Sequence, residues 1–203
     1  MNVSEQERQR IATAIRAAER ETSGEIVCVL AQSSCDITAL PILVAALIAL
    51  ALPWLLVELT EMSVHGILVL QTFLFFALAV LLCLPRVRVA LVPRAVRRTA
   101  AHRAAMEQFT IRGIARKKDR TGILIFVSLA EHYARIIADE GIVARVSQSQ
   151  WQDAIDALLA QMRSGNIADG FIAAIDVCGQ VLATHFPRSE TSRDELPDRI
   201  YLI

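Results

Sequence analysis

The chain has 203 residues, 54% of them apolar, and a mean hydropathy of +0.44. That excludes a disordered or extended acidic protein and leaves room for one domain plus a membrane element. The 21 basic and 21 acidic residues cancel, yet by segment the formal charge runs −2 over 1–36, −2 over 37–85, +9 over 86–120 and −5 over 121–203.

Ser4 followed by Glu7 has the spacing of a capping box, and Ile11, Ile15 and Ala18 then share one face of a helix predicted to run to about Glu21. After a turn at Thr22 to Gly24, residues 25–31 (EIVCVLA) read as a strand. The next segment holds no second strand to pair with it, so its partners are expected beyond residue 120.

Residues 37–57 carry no formal charge, and residues 62–85 form a second such stretch, greasiest from Ile67 to Leu84. At about 1.5 Å per residue each can cross roughly 30 Å of hydrocarbon as a helix. The charge-rich stretch ahead of the first span argues against a cleaved signal peptide. Glu58 and Glu61 stand in the link between the spans, whereas Arg86, Arg88, Arg94, Arg97 and Arg98 follow the second. Basic residues near span ends are retained on the cytoplasmic side. The expectation is an inner (plasma) membrane protein with two spans and both termini cytoplasmic, with those five arginines touching anionic headgroups at about 1 kcal/mol each. Trp54 suits an interfacial aromatic.

Residues 86 to about 112 have helical composition. The second basic cluster, Arg112, Arg116, Lys117, Lys118 and Arg120, lacks interleaved aromatics, so a loop is favoured over a nucleic-acid surface. Residues 122–130 (GILIFVSLA) read as a central strand covered on both faces, joined through a solvated Glu131-His132 turn to a strand over 133–139. Trp151, Ile155, Leu158, Leu159 and Met162 recur at helical spacing, with Gly165 as the stop. Asn166 and Asp169 open a further helix ending near Gly179. Residues 181–186 read as a short strand or a helix end, and the tail 187–203 as loosely packed.

The run Thr121 to Ile142, Trp151, Met162-Arg-Ser-Gly165 ahead of Asp169-Gly-Phe-Ile172, and the strand opening Gly24-Glu25-Ile26-Val27 together resemble the TPM-domain family. That family takes in thylakoid-lumen phosphatase-like proteins and membrane-anchored bacterial relatives. The resemblance covers about residues 5–31 and 100–187 and implies an α/β fold, a compact α/β/α sandwich with a small central sheet, here interrupted by the transmembrane hairpin. The implied division is 1–36 for the first helix and strand, 37–85 for the hairpin, 86–120 for a basic juxtamembrane helix and loop, and 121–203 for the remainder of the domain. Some members are linked to acid phosphatase activity and others to calcium or another divalent metal. Where relatives often show Gly-Asp-Tyr, this chain has Gly165-Asn166-Ile167.

For chemistry the chain offers no phosphate-cradling glycine loop, no Cys-x5-Arg, no DxD pair and no HExxH, and Ser128 stands outside any nucleophile elbow. No catalytic residue is assigned. Asp139 and Glu140, at a predicted strand end, are the best-placed acids for a divalent cation, calcium or magnesium, with Asp169 behind them. Two adjacent acids fall short of the roughly six to eight oxygens calcium gathers, so weak or absent calcium binding is expected. The four cysteines, Cys28, Cys35, Cys83 and Cys178, show no CxxC spacing and read as reduced core or membrane residues. The leading expectation is a cytoplasmic TPM-like domain held at the bilayer as a binding or assembly module. Its partners would be the bilayer itself, a membrane protein or a second copy of the chain. A membrane-tethered, metal-dependent phosphatase is the alternative, and a small transporter subunit stands behind both, since the spans hold no ionisable side chain beyond His65 at one end.

Overall fold

The computed structural model describes residues 3–34, 39–60, 63–84, 87, 92–116, 119–188 and 196–203. These divide into two compact units, residues 1–34 with 100–203, and residues 35–99.

The first unit is an α/β fold around a four-stranded mixed sheet with the order β3-β2-β1-β4. Strands β1 (Glu25–Ala31) and β2 (Gly122–Ser128) run parallel along their whole length, from Glu25 opposite Gly122 to Ala31 opposite Ser128. The strand ahead of the apolar spans thus finds its partner beyond residue 120, as its sequence demands. β3 (Tyr133–Ala138) returns antiparallel to β2 as the second arm of a hairpin. β4 (Ile200–Leu202) lies parallel to β1 on its other side.

β1 and β2 are buried throughout because both of their faces are covered. The two-residue period divides their side chains between two layers. Ile26, Cys28, Leu30, Ile123, Ile125 and Val127 enter the larger core, which also takes Ile11 and Ile15 of α1 (Glu5–Glu19). Val27, Val29, Leu124 and Phe126 enter a smaller core on the opposite face, with Ala105 and Phe109 of α4 (Arg94–Ile111). The larger core is completed by the short α5 (Glu140–Val143), α6 (Gln150–Arg163) and α7 (Ile167–His185), which supply Ile142, Trp151, Leu158, Phe171, Ile175 and Leu182. Burial among these groups pushes the Cys28 and Cys178 thiols far above the ordinary thiol range, which keeps both protonated and unreactive.

Local signals account for the helix ends. In α1 the Ser4 hydroxyl accepts from the Glu7 N–H at 3.3 Å, and Glu7 Oε2 accepts from the Ser4 N–H at 2.7 Å, so the capping box is closed. Gly165 ends α6 with φ +84°, a left-handed conformation that suits glycine. At Gly141 a Cβ would stand 2.5 Å from the Arg120 carbonyl oxygen, so only glycine lets α5 approach that loop.

Several expectations are corrected. The tail is not loosely packed throughout: Ile200 is buried and β4 pairs with β1, because three residues with one apolar side chain in the core suffice to add a short strand to the sheet. Of the two readings of residues 181–186 the helix end holds, and it is the expected stop near Gly179 that is corrected: α7 continues to His185, since nothing in its sequence breaks the helix at Gly179 and Leu182 still faces the core. Asn166 makes no side-chain cap; Gly170 N–H bonds its backbone carbonyl instead, at 3.1 Å.

The second unit contains α2 (Ala39–Leu59) and α3 (Val64–Cys83), which pack on each other. Residues 41–59 and 64–83 are long and apolar enough to cross a membrane, with a mean hydropathy of 2.5 for each. The Ser63 hydroxyl caps the start of α3 by accepting from Gly66 N–H at 3.3 Å. α7 also meets the length and apolarity needed to cross, but half of it is buried within the first unit, where it supplies core residues.

Candidate functional site

The parallel pair β1 and β2 gives the sheet an amino end and a carboxyl end, and polar groups collect at both. At the amino end, Asp139 follows β3 and its N–H bonds the Gly122 carbonyl at 3.0 Å. Its side chain, only 3% exposed, uses Oδ1 to accept from the Glu140 N–H at 2.7 Å and so starts α5. Arg120 reaches both predicted ligands, its Nη1 lying 3.5 Å from Asp139 Oδ1 and 3.4 Å from Glu140 Oε2. Asp139 Oδ2 is buried without a hydrogen-bond partner, whereas Glu140 points into solvent. Structure thus brings Asp139 and Glu140 together, with a guanidinium already supplying their countercharge.

Asp169 lies elsewhere. It stands in the first turn of α7 and pairs with Arg10 of α1 at 2.6 Å, tying those two helices together at the surface. The three acids do not converge, and among the described residues no group of three or more His, Cys, Asp or Glu side chains is placed to share a cation.

At the carboxyl end sits a network the sequence did not reveal. Glu131 is 6% exposed and is not half of a solvated turn pair. Its Oε1 accepts from Ser33 Oγ at 3.0 Å, while Oε2 accepts from the Ser34 N–H at 3.0 Å and from Ser128 Oγ. Ser34 Oγ in turn donates to Ser128 Oγ at 2.8 Å. Only His132 is exposed, in the left-handed region with φ +49°, as the tight β2–β3 turn requires. The physical reason for the correction is that the loop leaving β1 has backbone and hydroxyl donors to satisfy, and the buried Glu131 carboxylate satisfies them. Ser128, 1% exposed, is closed to solvent, so its hydroxyl acts as a clamp between strand ends rather than a nucleophile. A parallel pair in which Ala31 is followed by Gln32, Ser33 and Ser34, and Ser128 by Glu131 three residues on, was the signal available for this cluster, since crevices of α/β sheets form at carboxyl strand ends.

Of the five arginines expected at a membrane surface, Arg86 and Arg88 lie outside the described residues. Arg94 and Arg98 are exposed one helical turn apart in the first part of α4, and Arg97 is half-buried.

Residues 85–181 match the family model of the TPM domain. Over that stretch, just under half of its length, the chain is similar to a TPM domain. The matched stretch includes β2, β3 and α4 to α6, whereas α1, β1 and β4, which complete the same fold, lie outside it. The structure is also similar to the NMR structure of BA42 protein from the psychrophilic bacterium Bizionia argentinensis, with a TM-score of 0.63 at 22% identity over 100% of this chain and 97% of that one. That likeness shows a shared fold. No curated protein matches the chain.

Proposed function

We propose that this is an integral inner-membrane protein in which α2 and α3 span the bilayer and hold the TPM domain, an α/β/α sandwich interrupted by the hairpin, at the cytoplasmic face as a binding or assembly module. The observation that carries this reading is the exposure of large apolar side chains along both hairpin helices, among them Leu43, Leu47, Leu50, Trp54, Phe73, Phe76 and Val80. A patch of that extent in water is an association surface, and two such helices of about 19 to 20 residues match the hydrocarbon thickness. The bias of arginine beyond the second span over the acidic link supports cytoplasmic termini. Arg94, Arg97 and Arg98, with Arg86 and Arg88, then meet anionic headgroups.

Extraction of cell membranes with alkaline carbonate, followed by photo-crosslinking from an exposed position such as Gln152, tests both halves of this reading. The protein is expected to stay in the membrane fraction and to give a discrete crosslinked species. Release of the intact chain by carbonate would contradict the anchor, and a smear without a discrete species would contradict the module.

A further inference from the structure

β4 is an outer strand of the sheet among the described residues, and a cavity of about 650 Å³ runs beside it. Its walls include Arg8 of α1, Arg112 just beyond α4, and Arg199, Ile200, Tyr201 and Leu202 of the β4 segment. α1 packs on one face of the sheet and the end of α4 on the other. A cavity that touches α1, the residue after α4 and consecutive residues of β4 therefore lies along the open edge of that strand.

The backbone there is available for pairing. Ile203 bonds β1 through both its N–H, to the Leu30 carbonyl at 3.0 Å, and its carbonyl, from the Gln32 N–H at 2.8 Å. In a parallel ladder alternate residues face the same neighbour, so Tyr201 also faces β1 while Ile200 and Leu202 turn their N–H and C=O groups outward into the cavity. Such an edge is a template for an added strand.

Charge on the walls specifies what would be added. Arg112 stacks over the Tyr201 ring at 3.8 Å from its centroid and Arg199 at 4.7 Å, so both guanidiniums are held in place. Neither forms an ion pair with a carboxylate among the described residues, and Arg112 spends only its Nε, on Gln108 Oε1 at 3.1 Å. Of the acids there, Glu5, itself on the cavity wall, pairs with Arg8 at 3.4 Å, and Asp198 gives its Oδ2 to Arg16 at 3.0 Å while its Oδ1 is buried without a hydrogen-bond partner. We infer that this cleft binds an extended acidic segment of a partner protein by strand addition to β4, with backbone bonds to Ile200 and Leu202 and carboxylates on Arg112 and Arg199. The inference deepens the reading of the TPM domain as a binding module and does not depend on its attachment to a membrane.

The test uses the full chain in neutral detergent micelles with a fluorescent peptide of sequence Glu-Val-Glu-Val-Glu-Val, read by anisotropy. Saturable binding is expected. It should weaken at least tenfold in Arg112→Gln and in Arg199→Gln, and equally when alternate peptide nitrogens are methylated, which removes strand donors and leaves every charge. Leu202→Pro deletes one outward N–H without touching the β1 ladder, and it should abolish binding at an unchanged melting temperature. Absence of saturable binding up to millimolar peptide would overturn the inference. So would equal binding of the methylated peptide, which would indicate an anion site alone, or displacement of the peptide by self-association of the chain. Each of these outcomes leaves the carbonate extraction result untouched, so failure here is distinct from failure of the anchor.

Discussion

Trp151 and Trp54 are the same side chain in opposite surroundings: the first is 2% exposed within the α/β unit and the second 81% exposed on α2. The contrast extends to the phenylalanines, since Phe126 and Phe171 are wholly buried while Phe73 and Phe76 stand out from α3. In the α/β unit apolar residues alternate by layer and are matched by a polar outer surface, so water is the solvent that the fold excludes. In the hairpin they surround the helix, as expected where the surroundings are themselves apolar. Equal hydrophobicity therefore carries two meanings, and the distribution of apolar residues around each element decides between them.

The largest effect that would break this contrast comes from a charge in the sheet. Val27 is buried in the smaller core opposite Leu124, and Val27→Asp is expected to cost several kcal/mol, enough to unfold a domain of ordinary stability. Chemical denaturation followed by near-ultraviolet circular dichroism checks it, and a fold retained with ordinary stability would deny β1 its central place. Truncation of matched aromatics sharpens the same comparison. Phe126→Ala should lower stability by about 3 to 5 kcal/mol, whereas Phe73→Ala should change the α/β unit's transition by less than about 0.5 kcal/mol.

Glu131→Ala should cost about 1 to 3 kcal/mol, because it removes the carboxylate that accepts from the Ser34 N–H and from the Ser33 and Ser128 hydroxyls. Hydrogen exchange should quicken first at Ser34, and unchanged protection there would show that the carboxylate does not hold the loop. The smallest effect concerns Glu7, whose carboxyl is held below its ordinary value by the Ser4 N–H and then the Ser4 hydroxyl. A lowered folded-state value stabilises the protein above the unfolded-state pKa, and that contribution disappears as pH falls through the folded one. The melting-temperature gap between wild type and Glu7→Gln should accordingly be present at pH 6 and close in acid; a gap that widened on acidification would contradict the sign.

Much of the α/β unit was legible because its elements announce themselves locally. The Ser4–Glu7 box, the β-branched run 122–128 and the helical spacing from Trp151 to Met162 each specify structure within a few residues. β4 was not legible: three residues are too few for periodicity, and their strand character comes from β1 alongside them. The site divides in the same way. Asp139 and Glu140 are neighbours in sequence and remain so in space, but Asp169 was drawn to Arg10 by helix packing that no local pattern encodes. Glu131 was misread because its partners Ser33 and Ser34 come from a loop nearly a hundred residues earlier.

We propose that the hairpin crosses the membrane with the α/β unit on the cytoplasmic side. The most direct test is labelling of intact cells with a membrane-impermeant maleimide, after the native cysteines are replaced by serine. Ser63→Cys, in the link at the start of α3, should label at once, whereas Gln152→Cys, on α6, should label only after the membrane is permeabilised. Labelling of Gln152→Cys on intact cells with Ser63→Cys protected would contradict the account.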